Sequence, residues 1–174
     1  LSVDFTVIKD KNWDGAIIRE TGLDYSKLES MDFTGKDLTL STFRHAKLKD
    51  ANFSNDVILH GTFFVMADLE DANFVGADLE ATNLSRVKAK GANFKGANLK
   101  FATLHTPDFT GANFEEADMT GARFEGSSGN FFDNPTIEDA NFSGANLTDA
   151  NLKDASLKGA NFEEAKLDGT ILSN

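Results

Sequence analysis

Histidines and paired carboxylates are the residues of this chain best suited to chemistry. The histidines are His45, His60 and His105. An imidazole can bind a metal ion or transfer protons near neutral pH, and two adjacent carboxylates can act as an acid and a base. The acidic pairs are Glu70-Asp71, Glu115-Glu116, Glu138-Asp139 and Glu163-Glu164. Whether any of these groups cooperate depends on the elements that bring them together.

Composition narrows the classes of partner and site. The formal net charge is −11, so we expect no direct contact with nucleic acid, whose phosphates need a basic surface. The chain has no cysteine, which excludes disulfides and thiolate metal sites. No run of about 18 apolar residues is present, so we expect no membrane-spanning segment.

A five-residue repeat dominates the sequence. From Ala67 onward the chain reads ADLED, ANFVG, ADLEA and TNLSR, and later GANFKGANLK and ANFSGANLTDANLKDASLKGANFEE. A Leu or Phe occupies every fifth position, an Ala usually stands two residues before it, and Asn or Asp directly before it. A period of five matches neither a helix nor a long strand, and Asn, Asp and Gly favour turns. The pattern therefore predicts a chain that turns once in every five residues.

This pattern resembles the A-(N/D)-(L/F)-x-x consensus of the pentapeptide-repeat family. The resemblance covers nearly the whole chain and is strongest over 67–124 and 140–169. It implies an all-β fold, a right-handed quadrilateral β-helix of about eight coils, each of about 20 residues. We expect a single domain over 1–174, with 1–30 forming either degenerate N-terminal coils or a cap. In such a coil the central Leu or Phe and the preceding Ala point inward, and the other three positions point outward.

The frame of the repeat changes twice. One residue is added near Phe63 and Phe64, which predicts a bulge, and three are added within Gly126–Pro135, where Gly, Ser and Asn-Pro predict a short loop insertion near 126–135. Four units make one coil, so every fourth unit should lie on the same face of the square. This predicts a stack of inward side chains on one face, with a column of asparagines beside it. The predicted stack is Trp13, Phe33, Phe53, Phe74, Phe94, Phe114, Ile137 and Leu157, and the predicted asparagine column is Asn52, Asn73, Asn93 and Asn113.

The coil separates the candidate catalytic and metal-binding groups. His60 is predicted on a different edge from the other two histidines, and His45 lies about 14 Å from His105, too far to share a metal ion. The acidic pairs point outward from a convex prism, which has no cleft to shift their pKa values. Asp37, Asp78 and Asp118 share a column, but Val57 and Asn98 interrupt it, which argues against calcium. We predict no enzyme, no catalytic or cofactor-binding residue and no metal.

Bulky outward side chains are the candidate protein contacts, because exposed apolar groups can mark a partner site. They are predicted on two neighbouring edges; the alternative is that they are ordinary surface residues. The first edge carries Phe5, Tyr25, His45 and Met66, and the second carries Leu40 and Phe101.

The resemblance implies a mode of action without naming a partner. We expect a non-catalytic protein-interaction scaffold, present as a monomer or a weak end-to-end dimer. The alternative is a DNA-mimicking inhibitor or protector of a type II topoisomerase, although the family members of that kind carry a C-terminal dimer module and inward cysteines that this chain lacks. Residues 1–10 lack the features of a signal peptide, which favours the cytoplasm. The periplasm or the thylakoid lumen are alternatives if a targeting segment has been removed.

Overall fold

The computed structural model describes residues 18–124 and 134–172. In these ranges the β-structure consists of isolated parallel bridges between successive coils, from Gly22–Thr42 to Asn151–Ile171. Most bridges join residues 20 positions apart, so four pentapeptides complete one coil. The predicted right-handed, four-sided β-helix is confirmed. The described residues contain no helix that could cross a membrane.

Two sets of backbone hydrogen bonds build each side of the square. Between coils, the Phe94 amide donates to the Asn113 carbonyl at 2.7 Å, and the Asn93 amide donates to the Ala72 carbonyl at 2.9 Å. Within a coil, the Ala97 amide donates to the Phe94 carbonyl at 3.0 Å, which closes a tight turn. Gly96, the third residue of that turn, has a φ of 63°, as a type II turn requires.

The inward side chains form four columns, each named here by one central residue. The Leu84 face contains Leu23, Phe43, Phe64, Leu84, Leu104, Phe124 and Leu152; the Ala89 face contains Leu28, Leu48, Leu69, Ala89, Phe109, Ile137 and Leu157; the Phe94 face contains Phe33, Phe53, Phe74, Phe94, Phe114, Phe142 and Phe162; and the Leu99 face contains Ile18, Leu38, Leu59, Leu79, Leu99, Met119 and Leu147. The chain passes these faces in that order.

The phenylalanine ladder is confirmed on the Phe94 face. From Phe33 to Phe162, successive rings stack with centroids 4.6 to 5.0 Å apart and planes within 3° to 6° of parallel. Rings of adjacent columns meet edge to face, as Phe94 and Phe109 do at 5.6 Å and 89°. Stacked and edge-to-face contacts both favour the aromatic quadrupole. Trp13, the predicted first ring, lies outside the described residues.

The first insertion lies one turn earlier than predicted. Asn52 pairs with Asn73, 21 positions away, whereas Ile58 pairs with Asp78, 20 positions away, so the added residue lies between Asn52 and Ile58. Asn55 and Asp56 both have positive φ there. The predicted inward residues Ile58 and Phe63 therefore point outward, and Leu59 and Phe64 are buried instead. The sequence hid this because 58–59 and 63–64 are both apolar pairs, so two frames fit equally well.

The second insertion contains eight residues, and the prediction of three was wrong. Asn113 pairs with Asn141, 28 positions later, and Phe114 stacks on Phe142. Ile137 and Leu157 therefore lie on the Ala89 face, outside the phenylalanine ladder. Adding three or eight residues leaves the same five-residue frame, so only the pairing between coils distinguishes them. Of the predicted loop, only Asn134 and Pro135 are described.

Residues 18–30 adopt the regular coil, since Gly22 pairs with Thr42 and Lys27 with Lys47. This part of the predicted degenerate region, 1–30, is therefore coil. The alternative prediction, a cap, applies only to residues outside the described ranges. At the other end of the described chain, Leu167 and Leu172 are 38% and 45% exposed.

Two phenylalanines seven positions apart test this arrangement. Phe94 is fully buried, whereas Phe101 is 61% exposed. We expect Phe94→Ala to lower the free energy of unfolding by about 3–5 kcal/mol, because the ring leaves a cavity. We expect Phe101→Ala to lower it by about 1 kcal/mol or less. Denaturant melts measure both values, and equal losses would contradict the inward and outward assignment.

Candidate protein-contact surface

Five of the six predicted contact residues occupy the same backbone position, and Phe5 lies outside the described residues. Each of the five is the second residue after an inward side chain, at the corner of the square, where φ is between 56° and 61°. This left-handed conformation is costly for residues with a Cβ. It also directs the side chain away from the core. The five are Tyr25, Leu40, His45, Met66 and Phe101.

Tyr25, His45 and Met66 follow one another along the corner between the Leu84 and Ala89 faces. The Tyr25 and His45 rings stack at 4.8 Å with an angle of 6° between their planes. Tyr25 is 73% exposed, His45 is exposed and Met66 is half-buried. The stacked pair fixes two large rings at the surface.

This corner is basic although the chain is acidic. Arg44 precedes His45, and its guanidinium lies 5.3 Å from the centroid of the Phe63 ring, within the range of a cation–π contact. Arg86 occupies the corner position after Met66, in the same left-handed conformation. We call Tyr25, Arg44, His45, Met66 and Arg86 the Tyr25 ridge. In the outward column of the Ala89 face beside it, Lys27, Lys47 and Lys88 outnumber Asp68, and the Arg44 amide donates to Asp24 Oδ1 at 2.8 Å.

Leu40 and Phe101 lie on the other corner of the Leu84 face, where it meets the Leu99 face. Each covers a glycine of the next coil. A Cβ added to Gly61 would lie 2.9 Å from Leu40 Cδ2, and one added to Gly121 would lie 2.8 Å from Phe101 Cδ1. Both side chains therefore lie along the surface, and they remain 51% and 61% exposed.

All five described candidates border the Leu84 face, so the fold brings them to one side of the prism. The outward positions on this face are mostly uncharged: Gly22, Thr42, Phe63, Asn83 and Thr103. Phe63, predicted to be buried, is the aromatic residue that the sequence analysis missed here. Its signal was the pairing of two apolar residues at 63–64, and the frame error assigned the inward position to Phe63.

Polar columns on the other faces are paired within themselves. On the Phe94 face the predicted asparagine ladder is present: the Asn113 amide donates to Asn93 Oδ1 at 3.2 Å, and the Asn141 amide donates to Asn113 Oδ1 at 3.2 Å. On the Leu99 face, burial would raise the pKa of Asp118, but hydrogen bonds from Thr120 and Lys100 lower it overall. The aspartate column there is interrupted by Ile58 where Val57 was predicted.

The sequence analysis also missed a cluster on the Leu99 face. His60, Asp78 and Glu80 bring one ligand atom each to within 4.8 Å of one another. The frame error placed His60 at a corner, two residues after an inward Ile58. In the structure it directly follows the inward Leu59, in the same column as Glu80.

This geometry defines the class of protein: a four-sided parallel β-solenoid, with bulky outward side chains at both corners of one face. The profile of pentapeptide repeats matches eight copies over residues 12–55, 64–100, 90–126 and 138–174. The chain therefore belongs to the pentapeptide-repeat family. Members of this family are generally structural or interaction proteins.

The chain is similar to several solved structures, and the first of those described here shares its fold. A trypsin-treated form of QnrB1, a plasmid-mediated fluoroquinolone resistance protein, is 21% identical with a TM-score of 0.56, over 87% of this chain and 84% of that chain. HetL, involved in heterocyst differentiation regulation in the cyanobacterium Nostoc, is 22% identical with a TM-score of 0.32, over 98% and 96%. A protein of the Arabidopsis thaliana thylakoid lumen is 27% identical with a TM-score of 0.28, over 74% and 70%. No curated protein matches the sequence.

The contact between Phe101 and Gly121 predicts that Gly121→Ala and Gly96→Ala differ in their effect on the free energy of unfolding. Gly96 and Gly121 have nearly the same φ, 63° and 67°, but nothing lies within 4 Å of a Cβ added to Gly96. Both alanine variants bear the cost of the left-handed backbone. We expect Gly121→Ala to lose about 1 kcal/mol more, because its methyl group displaces the Phe101 ring.

A double-mutant cycle with Phe101→Ala isolates this contact. In the Phe101→Ala background the two glycine substitutions should cost the same free energy of unfolding, as measured by denaturant melts. A difference that persists without the ring would contradict the packing of Phe101 on Gly121.

Proposed function

We propose that the chain is a non-catalytic protein-interaction scaffold that contacts its partner through the Leu84 face and the corners beside it. The observation that carries the proposal is the collection of bulky side chains on this side, with Tyr25 stacked on His45 at 4.8 Å. Large, rigid aromatic groups lose little conformational entropy on binding and dominate many interfaces. The left-handed backbone at each of these corners directs the side chain outward, where a partner can contact it.

Charge indicates the kind of partner. The Tyr25 ridge carries Arg44 and Arg86 next to Lys47 and Lys88, on a chain whose formal net charge is −11. Complementary charges raise association rates and select between partners. The partner surface best suited to this ridge is acidic, with an apolar group that packs between the stacked rings and Met66.

A depression on the Ala89 face supports a role without catalysis. It has a volume of about 320 Å³ and is lined by Asp68, Glu70, Lys88, Lys90 and Asp108. Within it the Lys90 ammonium lies 3.5 Å from Asp108 Oδ2. Small-molecule sites are mostly apolar with a few placed polar groups, and alternating charges that pair with one another do not fit that pattern.

Two matched variants test the proposed surface. The first combines Tyr25→Asn and His45→Asn, and the control combines Asp50→Asn and Asp71→Asn at the corner between the Ala89 and Phe94 faces. All four residues have φ between 57° and 60°, and Asn tolerates this conformation. Each chain is cross-linked in a lysate of the source organism, and the proteins attached to it are identified. We expect the control to retain the same proteins as the unchanged chain, and the first variant to lose at least one.

A protein lost in this way is then purified and its affinity measured by calorimetry. We expect the Tyr25 and His45 substitutions to weaken binding by at least tenfold, about 1.4 kcal/mol, with no change for the control. Thermal melts of both variants verify that the solenoid is intact. Identical sets of retained proteins would contradict the assignment of the surface.

Protection or inhibition of a type II topoisomerase is the second candidate. It is favoured by the net charge of −11 together with a fold similar to that of QnrB1, a fluoroquinolone resistance protein. A DNA mimic relies on a continuous negative surface, and the basic Tyr25 ridge interrupts it on one side. The measurement is supercoiling by purified gyrase with and without a fluoroquinolone. Relief of drug inhibition by the chain would favour this candidate over the scaffold.

A further inference from the structure

Three groups that commonly bind metal ions meet on the Leu99 face. They are His60, whose side chain is 46% exposed, and the half-buried Asp78 and Glu80. His60 Nε2 lies 2.5 Å from Asp78 Oδ2, and the third ligand atom, from Glu80, is within 4.8 Å of the other two. The three residues belong to two successive coils, so their proximity is a product of the coil register.

The backbone on both coils fixes where these side chains start. Asp78 and Glu80 flank the buried Leu79, so both point outward from one side of the square. His60 follows the buried Leu59, whose amide donates to the Asp78 carbonyl at 2.7 Å. This hydrogen bond holds the histidine one coil from the two carboxylates. Ligands placed on rigid elements need little reorganisation to bind.

Asn98, on the next coil, orients both carboxylates. Its amide donates to Asp78 Oδ1 at 2.9 Å and to Glu80 Oε2 at 3.4 Å. The other oxygen of Asp78 is thereby directed at His60. A hydrogen bond of this kind to the outer oxygen of a ligating carboxylate is a regular feature of metal sites, because it fixes the carboxylate plane.

We propose that His60, Asp78 and Glu80 form a zinc site that links two successive coils. Zinc binds imidazole nitrogen and carboxylate oxygen at about 2.0–2.2 Å in tetrahedral geometry, which separates two ligand atoms by about 3.4 Å. The His60–Asp78 contact opens by about 1 Å to admit the ion, and Glu80 closes on it by rotation of its side chain. One imidazole and two carboxylates suit zinc, whereas calcium takes six to eight oxygen ligands.

Three protein ligands leave the fourth position to water or to a ligand from a partner. The site is distinct from the Tyr25 ridge, and it does not depend on the proposed scaffold function. Bound zinc would stabilise the folded chain in proportion to its concentration over the dissociation constant, because the two coils hold the ligands together only when folded.

Calorimetric titration of the tag-free chain with zinc chloride tests the proposal. We expect one equivalent to bind. His60→Ala and Glu80→Gln should each weaken binding by at least tenfold, whereas His45→Ala, which removes an exposed histidine at the corner between the Leu84 and Ala89 faces, should bind as the unchanged chain does. The Glu80 variant separates a three-ligand site from a simple His60–Asp78 ion pair.

Cobalt provides a second readout that instability of a variant does not mimic. We expect Co²⁺ to give the intense visible absorption of a four-coordinate ion with the unchanged chain and the His45 variant, and this absorption to be absent with His60→Ala. Thermal melts without metal check that each variant folds. Failure of the unchanged chain to bind either ion, or equal binding by the His60 variant, would overturn the proposal.

Discussion

The hydrogen bonds between coils are the interaction on which the rest of this structure depends. Each pairs a residue with the residue one coil later, as the Phe94 amide does with the Asn113 carbonyl at 2.7 Å. Parallel pairing repeats every coil at about 4.8 Å. Equivalent side chains are therefore stacked directly above one another, inside and outside the square. The inward phenylalanines become a ladder because this spacing lies within the range of centroid separations that offset-stacked rings adopt.

The same pairing determines where the chain can accept inserted residues. Insertions are best accommodated between two sides of the square, because an insertion within a side would disrupt its pairing with the coils above and below. The added residues lie between sides, one between Phe53 and Leu59 and the others between Phe124 and Ile137. Downstream of each, the columns continue: Phe74 stacks on Phe53, and Phe142 stacks on Phe114.

The interior is filled mainly by Leu, Phe and Ala, so only the outward positions are open to a ligand or a partner. At the corners the left-handed backbone directs the side chain away from the core, as it does for Tyr25 and Phe101. Along the sides, residues in one column meet those of the next coil, and this is how His60 comes to lie beside Asp78 and Glu80. A rigid prism thus creates sites by register between coils, without a cleft.

The sequence by itself determined the fold class, the inward set over most of the chain and the phenylalanine ladder as far as Phe114, because a five-residue period with turn formers leaves one architecture. It also identified Tyr25, His45 and Phe101 as outward. Only the tertiary structure decided which residues are neighbours after each insertion. Apolar pairs such as Phe63 and Phe64 fit two frames of the repeat. The five-residue frame also stays the same when a whole repeat is added, so it cannot reveal such an addition. The pairing between coils, a long-range interaction, removes both ambiguities and brings His60 to the carboxylates.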